Sequence, residues 1–271
     1  MISPTHLLQI IEGVQQKKEY TNLSEHLIEQ LATEYVRLNP KVRDFSPKSI
    51  KEIIKHVRAK TRDIYSVFQI PSRITKRSIE DAQSLVMSHL STKERQGYYD
   101  AFLQDIFDAF KPDSVLDLAA GMNPIKISQY YPSIRYVANE LSLKDCDLLL
   151  QYFAFHRLHS YTAVAFDCVR EHKKITSLGN FDLCLALKCF DTFETQRLYC
   201  SYDILQAIQA KIIVASFPLQ NVKGQVMKRT TISWFEKVLT RLAFVWKKKM
   251  YQGELMYIIA QDSALLAPLH E

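Results

Sequence analysis

The chain has 271 residues, 47% of them hydrophobic and 24% charged, with a formal net charge of +6. That composition excludes a disordered chain and leaves room for one large domain or two modest ones, each with ample core. No apolar run is long enough to span a bilayer and the N-terminus lacks a signal-peptide core, while five cysteines without a Cys-x-x-Cys pair argue against a disulfide framework or a zinc ribbon. The expectation is a cytoplasmic protein with no membrane partner and no structural metal.

In chain order, residues 1–88 read as helical. Leu23, Leu27, Ile28, Leu31 and Tyr35 recur at helical spacing. Ser46-Pro47 makes an N-cap and first turn for a helix with Ile50, Ile53, Ile54 and Val57 on one face. Its other face carries Lys48, Lys51, Lys55, Arg58 and Arg62, Pro71 closes it, and Thr75 to Ser88 suits one more short helix. Ser91 and Glu94 then form a capping box for a helix with Tyr99, Phe102 and Ile106 on one face, which places Arg95 early in that helix with its guanidinium available to a carboxylate.

From Ser114 the pattern becomes alternating strand and helix. Strands are expected at Ser114–Leu118, Arg135–Glu140, Tyr161–Phe166, Phe181–Leu187 and Lys211–Phe217. Helices are expected at 142–158, 194–209 and 227–239, followed by a hairpin of 244–251 and 254–260 about Gly253. This order implies a mostly parallel sheet with one antiparallel strand from the terminal hairpin, behind a helical N-terminal domain. The division is expected at 1–88 and 89–271.

Charge is concentrated in two places. Residues 41–77 hold eleven Lys or Arg against three acids, and residues 223–249 hold eight against Glu236 alone. Net charges of +8 and +7 in a chain of +6 overall suggest a polyanionic partner, RNA or DNA ahead of membrane.

The first strand ends in Ala119-Ala120-Gly121-Met122-Asn123-Pro124, and Pro124 suits the first turn of a helix. Strand, tight loop and helix open a nucleotide-binding α/β unit, and Glu140 lies where such units place an acid for ribose hydroxyls, about twenty residues on. A nicotinamide dinucleotide needs Gly-x-Gly-x-x-Gly and a phosphate loop needs Gly-x-x-x-x-Gly-Lys-Ser/Thr; neither is present. S-adenosylmethionine, which carries no phosphate, needs one close backbone approach, an acid for the ribose and polar contacts at its two ends. Asp117, Gly121, Glu140 and Asp167 suit those tasks.

Three motifs, His89-Leu90-Ser91-Thr92-Lys93-Glu94-Arg95, Leu116-Asp117-Leu118-Ala119-Ala120-Gly121-Met122-Asn123-Pro124 and Ala215-Ser216-Phe217-Pro218, resemble those of the aminoglycoside-resistance methyltransferases, which modify 16S ribosomal RNA at guanine N7. The resemblance runs over residues 45–260. It implies a helical RNA-docking domain ahead of an S-adenosylmethionine-dependent methyltransferase fold, acting on 16S rRNA in the 30S subunit as a monomer. By position it implies that Arg95 holds the methionine carboxylate, Gly121 packs by the methionine chain and Glu140 binds the ribose. Asp167 and Cys168 would lie at the adenine, with Leu187 and Lys188 bordering the cofactor.

RNA phosphates would meet Lys48, Lys51, Lys55, Arg58 and Arg62 and, beyond the fifth strand, Lys223, Lys228 and Arg229. Three positions depart from the family pattern: Ala120 replaces a cysteine, Phe68 replaces a tyrosine, and residues 220–229 keep their charge with fewer glycines. Guanine N7 has a lone pair and no proton to remove, so no general base is nominated. Two other readings fit the residues: a methyltransferase for a different RNA base, and a catalytically silent RNA-binding protein that kept the fold.

Overall fold

The structure is a computed structural model that describes residues 2–17, 20, 21, 23–64, 79–87, 95, 97–219 and 230–269. The chain forms two compact units, Met1–Gln69 with Ser142–Lys144, and Ile70–Leu141 with Asp145–Glu271. Phe68 and residues 220–229 lie outside the described residues, as do Ser91 and Glu94 of the capping box.

In the first unit, helices α1 (Pro4–Gln15), α2 (Glu25–Leu38) and α3 (Pro47–Ile64) pack through Ile10 and Val14, Leu27 and Ile28, and Ile53 and Val57, all buried. Each helix begins where a serine side chain satisfies an amide that has no carbonyl to bond. Ser3 accepts from His6 N at 3.3 Å, Ser24 from Leu27 N at 3.2 Å and Ser46 from Ser49 N at 3.3 Å. A Cβ added at Gly13 would overlap Ile54 Cδ1, so α1 and α3 approach closely there.

In the second unit, α4 (Ala82–Met87) has Leu85 and Val86 buried in that unit's own core. Helix α5 spans Tyr99–Phe110. Arg95 stands in the turn ahead of it and not inside it, with its carbonyl accepting from Tyr98 N at 3.0 Å and Tyr99 N at 2.8 Å. Then come β1 (Ser114–Leu118), α6 (Asn123–Tyr130), β2 (Arg135–Glu140), α7 (Leu143–Phe155), β3 (Tyr161–Ala165), α8 (Lys173–Ser177) and β4 (Phe181–Leu187). Next are α9 (Phe190–Gln196), α10 (Cys200–Ala207), β5 (Ala210–Pro218), α11 (Ser233–Arg241), β6 (Val245–Tyr251) and β7 (Glu254–Ala260).

Among the described residues, seven strands make one sheet in the order β3-β2-β1-β4-β5-β7-β6. The first five run parallel, with Leu116 opposite Val137 on one side and Cys184 on the other, and β7 alone runs antiparallel to them. Alternate side chains enter two apolar layers. Val115, Leu183, Leu185 and Val214 join Phe102, Ile125 and Leu149 on one face, while Leu116, Cys184, Ala186 and Phe217 join Phe190, Ile204 and Phe235 on the other.

One expected helix is two. Residues 194–209 break between α9 and α10 at Tyr199, whose φ is 64°. Glu194 holds the break open by accepting from Tyr199 N at 2.7 Å and Ser201 N at 2.9 Å. A side-chain carboxylate thus takes the amides that a continuous helix would bond internally. No described helix is long and apolar enough to cross a membrane.

Candidate active site

The sheet order reverses between β1 and β4, the place where α/β sheets open a ligand crevice at the carboxyl ends of their strands. The loop after β1 turns through Ala119 at φ 51° and Gly121 at φ 56°, and only Gly121 adopts the left-handed region without a Cβ penalty. Gly121 N donates to Glu140 Oε1 at 2.5 Å, and Leu141 N donates to Oε2 at 3.1 Å. Burial, with the charges of Asp145 and Asp117 nearby, pushes the Glu140 carboxyl up to about 8 against those two amides.

Asp117 is buried at the centre of β1. Its Oδ2 accepts from the Tyr136 hydroxyl at 2.6 Å and from Asn123 Nδ2 at 3.4 Å. Burial raises this carboxyl to about 7 despite the Tyr136 bond and the neighbouring Arg95. Its Oδ1 has no hydrogen-bond partner among the described residues.

Arg95 is 1% exposed. Its Nε donates to Glu254 Oε1 at 2.9 Å and its Nη1 to Asn123 Oδ1 at 3.1 Å, while Nη2 has no partner among the described residues. Lys188 follows β4 at φ 58°, its amide held by the Ser216 carbonyl at 3.1 Å and hydroxyl at 3.0 Å. Its Nζ lies 2.8 Å from the same Glu254 Oε1. Leu187, the last residue of β4, is buried opposite Ser216.

Asp167 sits just past β3 and accepts from Val169 N at 2.8 Å and from Arg170 Nη1 at 2.8 Å. The Cys168 thiol donates to Asn139 Oδ1 at 2.7 Å, which ties this turn to the end of β2. The seven residues expected at a cofactor therefore all lie along one carboxyl edge, and hydrogen bonds join Arg95 through Asn123 to Asp117, and Gly121 to Glu140. Asn123 and Glu254 belong to the same set. Asn123 stands in the first-loop motif itself; the only sequence signal for Glu254 is an acid heading an otherwise apolar strand.

An unpaired guanidinium nitrogen and an unpaired carboxylate oxygen, both buried and bridged by one asparagine, suit the carboxylate and ammonium of an amino acid. An acid at the end of β2 suits a ribose diol. This donor and acceptor set fits S-adenosylmethionine. The model of the ribosomal RNA methyltransferase family FmrO matches residues 74–258, a span that contains every residue of this edge. The chain belongs to the FmrO family.

Among the chain's relatives is a "16S rRNA (guanine(1405)-N(7))-methyltransferase" from Serratia marcescens, 25% identical over 227 residues, 79% of this chain and 86% of that one. A protein of the same name from Frankia casuarinae is 26% identical over 180 residues, 63% of this chain and 61% of that one. In fold, the chain is similar to the 16S rRNA methylase RmtB, with a TM-score of 0.74 and 22% identity over 96% of this chain and 100% of that one. It is equally similar to RmtF in complex with S-adenosyl-L-homocysteine, with a TM-score of 0.74, 18% identity and the same coverage.

The positively charged residues fall differently from the cofactor set. Lys48, Lys51, Lys55 and Arg62 are exposed on α3 in the first unit. Arg58 is turned inward, donating to the Gly13 carbonyl and, at 3.4 Å, to the Val14 carbonyl at the end of α1. Lys223, Lys228 and Arg229 lie outside the described residues.

Proposed function

We propose that this enzyme transfers the methyl group of S-adenosylmethionine to N7 of a guanine in the decoding centre of 16S rRNA, within the 30S subunit, and that this modification confers aminoglycoside resistance. The observation that carries the cofactor is the pair of unpartnered buried atoms, Arg95 Nη2 and Asp117 Oδ1, beside the Gly121 loop at the sheet's switch point. The names of the curated relatives support the target.

When bound, S-adenosylmethionine supplies an electrophilic methyl group on a sulfonium sulfur. Arg95 Nη2 takes its carboxylate, Asp117 Oδ1 its ammonium and Glu140 its ribose hydroxyls. Asp167 and Cys168 border the adenine, Leu187 walls the pocket and Lys188 lies at its rim. Guanine N7 attacks through its lone pair, and no proton has to leave it. The protein's contribution is therefore to align nucleophile and methyl carbon for in-line displacement and to keep water out. The helical first unit docks on RNA phosphates through Lys48, Lys51, Lys55 and Arg62, and Lys223, Lys228 and Arg229 grip further phosphates. The target base leaves its stack to reach the methyl group, at a cost of a few kcal/mol, roughly, that contacts to the folded RNA offset.

The test is to incubate the protein and labelled S-adenosylmethionine with assembled 30S subunits and with naked rRNA, then map any modified base. Label on a decoding-centre guanine is the expected result. Transfer to another base moves the target, and cofactor binding without transfer to either substrate removes the ribosomal reading. Absence of cofactor binding leaves the silent RNA-binding fold.

A further inference from the structure

The Arg95–Glu254–Lys188 cluster joins three distant parts of the chain at one oxygen atom. Glu254 opens β7, opposite Pro218 of β5. Because β7 runs antiparallel, its first residue arrives at the edge where the parallel strands end. The side chain is fully buried and its Oε1 meets Arg95 Nε at 2.9 Å and Lys188 Nζ at 2.8 Å. Asn123 Oδ1 takes Arg95 Nη1 at 3.1 Å.

Gripped at Nε and at Nη1, a planar guanidinium has no rotation left, so the direction of its Nη2 is fixed. A buried ion pair is a poor source of stability compared with apolar packing, which makes a geometric role the better account of an acid at this position.

We infer that Glu254 is the positioning residue of the cofactor's amino-acid end: with Asn123 it aims Arg95 Nη2. This rests on Arg95 holding the methionine carboxylate. Glu254 touches neither the methyl group nor the base, so it acts through Arg95.

The test compares two probes, S-adenosylhomocysteine and 5′-methylthioadenosine, which share adenosine and a thioether but differ in the amino-acid end. Dissociation constants for both are measured on the full chain and on Glu254→Gln, Arg95→Lys and the double variant. The expectation is that Glu254→Gln weakens S-adenosylhomocysteine about tenfold, as loss of a charge-assisted contact does, and leaves 5′-methylthioadenosine unchanged. Arg95→Lys shows the same selectivity, and the double variant loses no more than Arg95→Lys alone.

Equal loss for both probes in Glu254→Gln, or loss for neither, alongside a selective Arg95→Lys, makes Glu254 mere scaffolding and overturns the inference. A non-selective Arg95→Lys overturns the Arg95 role and the inference with it. Should Glu254→Gln fail to fold, the wild-type protein still decides. Its Arg95 Nε–H, assigned by its absence in Arg95→Lys, is expected to exchange slowly with solvent both with and without S-adenosylhomocysteine. Fast exchange in the free protein overturns the inference.

Discussion

At the scale of single residues, the buried polar groups set the chemistry and its pH dependence. Glu140 has an ordinary value of 4.5 and a folded value of about 8. The folded chain therefore keeps a proton that the unfolded chain releases, and this residue's contribution to stability falls as pH rises across that window. Glu140→Gln should flatten that part of the stability profile, measured by denaturant unfolding between about pH 5 and about pH 8. Ribose hydroxyls donate best to the ionised carboxylate, so binding of S-adenosylhomocysteine should expel the proton, tightening as pH rises towards about 8 and levelling off above it. Asp117, at about 7, titrates in the same sense. Calorimetry in buffers of different ionisation enthalpy reads the released proton, and a flat profile in the wild type removes Glu140 from the ribose. Arg95→Ala should cost stability as well as affinity, because it removes one of the two cations that meet the buried Glu254. A loss of about 3 kcal/mol in urea unfolding is the expected size.

At the scale of elements, helix α3 divides its cations between two tasks. Lys48, Lys51 and Lys55 are exposed, whereas Arg58 caps the carbonyls that end α1. Reversing the three lysines to glutamate should weaken 30S binding and leave the dissociation constant for S-adenosylhomocysteine unchanged; if 30S binding is indifferent, α3 is not a docking helix. Arg58→Ala should instead lower stability by about 1.5–3 kcal/mol, the range for a hydrogen bond to a charged group, with salt dependence unaltered. The break between α9 and α10 is likewise a local device. Glu194 competes for two amides, and the Glu194 carboxylate wins because Tyr199 already stands at φ 64° and cannot continue a helix.

At the scale of the whole molecule, a net charge of +6 hides two strongly basic segments within a chain otherwise acidic. Binding to 30S subunits should therefore weaken steeply between about 50 and about 200 mM salt, with a slope set by the phosphates neutralised. Binding of S-adenosylhomocysteine, a zwitterionic ligand held by buried groups, should not change over the same range. Filter binding and calorimetry over one salt series check both. Parallel slopes for the two ligands would mean that surface charge also governs the cofactor site.

The amino-acid sequence by itself determined what local rules determine. Apolar periodicity marked α2, a serine cap with periodicity marked α3, and branched apolar runs marked β1, β2 and β4 at their observed bounds. The loop after β1, the acid at the end of β2 and the family motifs identified the edge and its cofactor, because a strand, a glycine and an acid near in sequence stay near in space. Tertiary structure alone decided the rest. Arg95 sits ahead of its helix because the turn Arg95–Tyr98 delivers its side chain to partners 28 and 159 residues away. Arg58 faces inward because α1 ends beside it, and Glu254 reaches the site because β7 alone reverses direction. Those facts depend on which elements become neighbours, and no window of sequence contains both partners.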